Sequence, residues 1–235
     1  MSELNLVLKN KEERVLEYTD FSDINLTLEE GTKLTLKLAN FATDKSLKIY
    51  GKIKKNAFLA LVFADFSNGN TKIESKIDLV EEGAKCDWHL ATLSNKKDSK
   101  IFDISFNHLV GHTEALMDNY GVARNESKIL FTGCNHILEG AKGSITKQNA
   151  KIIVFDKDAQ GVASPILRID ENDVQASHGA VVGQLNNEHM FYLMSRGLTR
   201  DEARMIITLG YLKPVSSQFS EETQSKIENI LKEAI

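Results

Sequence analysis

From residue 24 to about residue 183 this chain is written in runs of four to eight residues with a two-residue period, and no amphipathic stretch of ten or more residues interrupts them. INLTLEEGTKLTLKLAN alternates apolar and polar around a Glu-Gly turn. SLKIYGKI, FLALVFADF, TKIESKIDLV, DWHLATL, IFDISF, KILFTG and KIIVFD follow, each rich in Ile, Leu, Val, Phe or Thr and bounded by Asn, Asp, Gly, Lys or Ser. That is strand chemistry. So many short strands must dispose of their hydrogen-bonding edges, which restricts the fold to a sandwich, a closed barrel or a solenoid. Apolar centres near Ile104, Ile129 and Ile153 recur at about 25-residue steps, in the range of one solenoid coil, with EGAKG (139–143) and DAQG (158–161) as corners. Periodicity by itself leaves solenoid and sandwich open.

After residue 185 the pattern changes. Asn186 or Asn187 can cap a helix through NEHMFYLMSR, closed by Gly197. Thr199 and Glu202 have capping-box spacing before ARMIITL, Gly210 is expected to end that helix, and Pro214 to prevent its continuation. Ser220 opens a last helix with Ile227, Ile230, Leu231 and Ala234 on one stripe. The expected organisation is a lead-in segment (1–23), a β core (24–185) and a helical subdomain (186–235). A short three-helix tail cannot cover itself, so part of it should face the β core or a partner.

Composition removes several function classes. A net charge of -4 argues against a nucleic-acid binder, and the lysines of GKIKKN (51–56) and SNKKDSK (94–100) read as solvated turns. No apolar run approaches the roughly 20 residues that span a bilayer. The opening MSELNLVLKNKEERVLEY has no apolar core of a secretory signal, and two cysteines cannot build a disulfide framework, so the cytoplasm is the expected compartment. Phosphate-loop, dinucleotide, nucleophile-elbow, zincin and C-x-x-C motifs are all missing, so the chain is not expected to hydrolyse ATP by itself.

Few residues remain as carriers of chemistry. Cys134 and His136 share a strand face and can hold a soft metal, or be a small thiol beside a hydrogen-bonded histidine. His108 and His112 would share a face only on a helix, which Leu-Val-Gly between them disfavours. Cys86 and His89 fall on opposite strand faces and read as structural. Asp170, Glu171 and Asp173 offer paired carboxylates, as a polysaccharide-cleaving β-solenoid would need, or a solvated turn. His178 sits in VQASHGAVV, on one face with Val174, Ala176, Ala180 and Val182. A histidine among small apolar neighbours must satisfy its nitrogens inside the fold or present them to something else, and neutral imidazole is a good ligand for iron, zinc or copper.

The stretch from about Gly111 to Tyr211 resembles the SufB/SufD family of iron–sulfur cluster assembly proteins. SPILRIDENDVQASHG is similar to the family's last β coils, VGQLNNEHMFYLMSRGL to its transition into C-terminal helices, and Glu202–Ala203 before ITLGYL to the helix that follows. The resemblance implies a mainly β chain: a right-handed parallel β-helix (a solenoid) followed by a small C-terminal α-helical subdomain. It implies a scaffold rather than an enzyme. In the family, SufB and SufD pair through their β-helices, each binds a SufC ABC-type ATPase through its C-terminal helices, and a nascent cluster is built at the SufB–SufD interface.

His178 matches the family's cluster-site histidine. Gly179 stands where SufB has Glu, so the chain reads as SufD-like, and Ala176 stands where some SufD proteins have Cys. Cys134 remains a weaker candidate ligand. Phe191, Tyr192, Arg196, Gly197, Ile206, Ile207 and Tyr211 fall where the family docks the ATPase. The implied partners are a SufB-like subunit and the SufC-like ATPase, or a second copy of the chain in a self-paired scaffold, with no nucleic acid and no membrane. The implied cargo is a nascent iron–sulfur cluster, transient and shared with a partner subunit, with none held tightly by the isolated chain. Family members are typically nearly twice as long, with a helical N-terminal domain. This chain begins almost directly with strands and reads as a short form.

Overall fold

The computed structural model describes residues 3–234. Fourteen strands precede three helices. The strands are β1 (Leu4–Leu8), β2 (Glu13–Tyr18), β3 (Ile24–Leu28), β4 (Lys33–Asn40), β5 (Lys45–Ile53), β6 (Phe58–Asp65) and β7 (Thr71–Leu79). They continue as β8 (Lys85–Ser94), β9 (Ser99–His108), β10 (Glu114–Ala123), β11 (Lys128–Ile137), β12 (Ile145–Val154), β13 (Gln160–Ile169) and β14 (Gln175–Gln184). The helices are α1 (Asn187–Ser195), α2 (Arg200–Ser216) and α3 (Glu221–Ala234). Odd-numbered strands form one seven-stranded sheet and even-numbered strands a second, and the ladders within each are parallel. Each coil therefore adds one strand to each sheet, which makes the chain a parallel β-helix and decides the solenoid question.

The expected 25-residue step does not describe the coil. Register partners lie 20 residues apart at Leu4–Ile24 and 32 apart at Lys128–Gln160, so the coil lengthens along the chain. Ile104 pairs with Gly133 rather than Ile129, and Ile153 belongs to the other sheet. Strands β1 and β2 place a further coil inside the segment read as a lead-in.

Alternation sorts the side chains. Inner positions bury Leu34, Leu36, Leu38, Leu59, Leu61, Trp88, Phe102, Ile104 and Phe131 in a continuous lumen core. Aromatic rings run in contact through it, stacked for Phe63–Trp88 with centroids 6.3 Å apart, edge-on for Phe63–Phe102 at 6.2 Å and tilted for Phe102–Phe131 at 5.7 Å. The buried Trp88 indole donates to Asn119 Oδ1 at 3.0 Å, satisfying its one polar atom. One corner in each of the five coils from β3 to β12 carries a residue in the left-handed region: Gly31, Asn56, Gly83, His112 and Gly143, with φ of 70, 53, 75, 55 and 68°. Their backbones join coil to coil, Asn56 N–H donating to Glu82 O, Gly83 N–H to His112 O and His112 N–H to Lys142 O.

A second apolar core lies on the outer face of the even sheet. Val62, Ala64, Ala91, Leu93 and Val122 are buried there beneath Leu212, Val215, Phe219, Ile227 and Leu231. Helix α2 does not stop at Gly210 but runs through Gly210 and Pro214 to Ser216. The proline costs a helix roughly 3 kcal/mol. Leu212 and Val215, both wholly buried on either side of it, contribute about 2 kcal/mol each by leaving water. Tertiary burial outweighs the local penalty. The other expected helix signals hold: Asn186 Oδ1 accepts from Glu188 N–H (2.7 Å), and Thr199 with Glu202 forms a capping box.

Candidate functional site

The β-helix ends in open edges. Strands β13 and β14 are the last in their sheets, and all ten residues of β14 are exposed. A strand edge displays unpaired N–H and C=O groups in a row, which is a template for another strand. His178 lies on this edge at an inner-facing position, in register with Gln148 of β12. Gln148 is buried; its side-chain N–H donates to Ile166 O at 2.9 Å, while its Oε1 has no partner. On the outer faces of the same last coil stand Val162, Ile166 and Val181, at 49%, 43% and 60% exposure. Sequence reasoning missed these three. Their outward parity within VASPILRI and SHGAVVG was the signal available.

Cys134 does not join His178. It lies half-buried on the outer face of the odd sheet, whereas His178 lies on the inner face of the even one. Burial pushes the Cys134 thiol above its ordinary pKa, so it is not a poised thiolate. Its neighbour His136 is taken by Asp170, Nε2 to Oδ2 at 2.6 Å. Glu171 accepts backbone N–H groups of Asp173, Asn172 and Gly140, and these hydrogen bonds hold its carboxyl below the usual range. Asp170 and Glu171 thus tie the corner together through His136 and backbone N–H groups, and the Asp173 carbonyl accepts from the Gly143 N–H. Cys86 is wholly buried in the lumen. Among the described residues no cluster of three or more His, Cys, Asp and Glu side chains could hold a metal ion.

Helices α1 and α2 divide the remaining candidates. Phe191 (75% exposed), Tyr192 and Ile206 face solvent together with Met194. The Arg196 guanidinium lies 5.2 Å from the centroid of the Tyr192 ring. Gly197, with φ of 96°, closes α1 through N–H to Met194 O. Ile207 and Tyr211 turn the other way and pack on the second core. Tyr211 meets Tyr120 edge-on at 6.0 Å, and burial pushes its hydroxyl up to about 12.

An open terminal coil with a solitary exposed histidine, followed by a helix pair with an exposed apolar face, is the arrangement to compare with known proteins. The family model for the SUF system FeS cluster assembly SufBD core domain matches residues 22–211. The chain belongs to the SufBD family. It is similar to the iron–sulfur cluster assembly protein SufD of Bacillus subtilis (strain 168), 29% identical over 160 residues, which are 68% of this chain and 37% of that protein. A SufBD family iron–sulfur cluster assembly protein of Staphylococcus aureus (strain USA300) is 22% identical over 196 residues, 78% of this chain and 41% of the relative. One of Mycobacterium bovis is 28% identical over 124 residues, 53% of this chain and 15% of the relative. The chain therefore spans less than half the length of these curated SufBD relatives. Within the match lie the coils from β3 to β14, all of α1 and the first part of α2, so His178 and the exposed face of α1 both fall inside the shared core.

Proposed function

We propose that this chain is a SufD-like, non-catalytic scaffold subunit for iron–sulfur cluster assembly. The observation that carries the reading is the position of His178 within the family core: on the inner face of a terminal strand with one free edge, where one imidazole meets whatever chain continues the β-helix. A SufB-like subunit adds its strands along the β13 and β14 edges and covers Val162, Ile166 and Val181. The nascent cluster is cargo at that junction, with His178 giving one neutral nitrogen ligand and the partner giving the rest. A SufC-like ATPase docks on Phe191, Tyr192, Ile206 and Arg196. Ile207 and Tyr211 act beneath it, transmitting the position of α2 to the even sheet. Nucleotide-driven motion of the ATPase then shifts the helices against the coil, and it counts as coupling only where nucleotide state changes the free energy of the junction. Sulfur arrives from a cysteine desulfurase pathway.

The test is anaerobic co-expression of the tagged chain with the SufB-like and SufC-like proteins of its organism. Co-elution of both, with iron and sulfide retained, is the expected result. His178→Ala should keep both partners and lose most of the iron and sulfide. Retention of full cluster content by His178→Ala would leave a structural subunit without a ligand role. An open edge can also pair with a second copy across a two-fold axis. Co-elution of the ATPase alone, with a dimeric chain, would establish that self-paired scaffold instead.

A further inference from the structure

Between the end of the last coil and α1 lies a cleft of about 480 Å³. Its apolar lining comes from Phe155, Leu185, Met190 and Met194, and largely exposed Phe191 also borders it. Its charged lining is Lys157, Arg200 and Arg204 against the single carboxylate of Asp156. Asp156 is fully engaged: Oδ1 accepts from Arg204 Nη2 at 3.1 Å and Oδ2 from the Asn125 N–H at 2.7 Å. Arg204 keeps a buried Nε that has no hydrogen-bond partner. Neither Lys157 nor Arg200 has a carboxylate within ion-pair distance among the described residues. The Phe155 ring, which lines the cleft, has two guanidinium groups near it, Arg204 at 5.8 Å and Arg124 at 6.0 Å.

We propose that this cleft binds a small phosphomonoester carrying an apolar or aromatic body. Its volume is that of a small-ligand pocket, roughly 300–1,000 Å³. Three cations against one carboxylate leave two positive charges uncompensated, which matches a phosphomonoester dianion and exceeds what one carboxylate ligand would neutralise. Guanidinium groups meet phosphate oxygens with paired N–H donors, and Arg200 is free to do so. Two methionines and a phenylalanine give an adaptable apolar wall for the ester's body. The site is separate from His178 and does not depend on a cluster role for the chain.

Isothermal titration of the full chain with phenyl phosphate and with AMP tests this, with inorganic phosphate and phenol as the two halves of the ligand. The expected result is saturable binding of at least one monoester, about tenfold or more tighter than inorganic phosphate. The double variant Lys157→Gln/Arg200→Gln should weaken it by about tenfold or more at an unchanged melting temperature, because both side chains are exposed and unpaired. A second variant, Met194→Ala, should weaken the monoesters and phenol by shrinking the apolar wall and leave inorganic phosphate unaltered. Absence of saturable binding by either monoester, or binding unchanged in the double variant, overturns the proposal. So does a double variant that binds no less monoester yet loses the co-eluting ATPase, since the cleft would then receive an acidic side chain of a protein partner.

Discussion

Two buried polar residues define what single side chains do in this β-helix. His108 is wholly buried at the inner end of β9, with Nδ1 2.8 Å from Thr113 Oγ1 and Nε2 unpartnered. Burial lowers its pKa from 6.5 to about 4. A depressed histidine contributes stability that is complete above about pH 6.5 and is lost as pH falls toward 4, because the unfolded chain takes the proton first. Between pH 7 and pH 5 that amounts to about 2 kcal/mol, or about 4–8 °C in melting temperature for a chain of this size. His108→Gln should flatten the melting-temperature profile over that window; an unchanged profile would place the acid sensitivity elsewhere. Lys100 was the residue the sequence misrepresented. Grouped with SNKKDSK it reads as a solvated turn, yet it is wholly buried, with Nζ 2.6 Å from Ser67 Oγ, 3.2 Å from Thr71 Oγ1 and 3.4 Å from Asp65 Oδ2. Asp65 in turn accepts from Asn40 Nδ2 at 2.8 Å and from the Ser67 hydroxyl at 2.8 Å. The local signal was parity: Lys100 alternates in phase with Phe102, Ile104 and Phe106. Lys100→Met strands a buried carboxylate and should cost about 3–5 kcal/mol in denaturant unfolding, with Lys100→Met/Asp65→Asn recovering part of the loss. A neutral Lys100→Met would mean that the remaining hydrogen bonds to Asp65 suffice.

At the scale of elements, the corner stack is as important as the ladders. Gly143 and Gly140 both adopt left-handed φ, 68 and 85°, but a Cβ on Gly143 would stand 2.6 Å from His112 Nδ1, whereas one on Gly140 would meet nothing within 4 Å. Gly140→Ala should therefore cost only the backbone term of about 1 kcal/mol. Gly143→Ala adds a clash with a side chain that is itself held in a left-handed corner, and should cost about 2–3 kcal/mol. Equal losses in the two variants would refute the steric account. Most strands were legible because the alternation is local chemistry. Strand β10 was not, since EALMDNYGVA carries Asp118, Asn119 and Gly121, all poor strand formers, and is held instead by complete ladders to β8 and β12. The end of α2 was misread for the same reason, because burial of Leu212 and Val215 against the even sheet is invisible to propensity. Coil length was illegible too. It grows mainly because the strands lengthen from five or six residues in the first coils to ten in the last, so no constant repeat exists to find. Of the candidate site, the strand face of His178 was legible from its alternating neighbours. The separation of Cys134 from it was not, because that depends on which sheet each strand joins.

Across the whole molecule the helical tail runs back along the solenoid and ties its two ends. Near the last coils Arg204 pairs with Asp156. At the first coil the N-terminus of α3 is held by Glu17 of β2, which accepts from Ser220 N–H at 2.9 Å, Ser220 Oγ at 2.6 Å and Thr223 Oγ1 at 2.5 Å. Burial alone would raise the Glu17 pKa, but these hydrogen bonds outweigh it and leave the carboxyl below its ordinary value. Such a carboxylate gives stability that is present above its ordinary pKa of 4.5 and is lost as pH falls through the lower, folded value. Glu17→Ala should loosen α3 by about 1 kcal/mol, read as faster amide exchange in Glu221–Ala234 with little change in β6 to β10. Helix α1 lies outside this tie. Only Met190 of its residues is buried, so it is the least anchored helix, and the proposed docking on Phe191 and Tyr192 would act on it first. In the proposed scaffold role the stiff β-helix carries the docking helix α1 and the open strand edge at the same end, and the edge gives the last prediction. Val181 is exposed on the outer face of β14, so Val181→Glu should leave the monomer's stability within about 0.5 kcal/mol of its original value. The same charge must be desolvated when another chain covers the last coil, and pairing should weaken by about tenfold or more in sedimentation velocity. Ile166→Glu, on the other sheet of the same coil, should act in the same direction. Val15→Glu, on the outer face of β2 at the opposite end of the solenoid and just as exposed, should leave pairing unchanged. Equal weakening by all three substitutions would mean that general charge repulsion, and not the terminal coil, governs assembly.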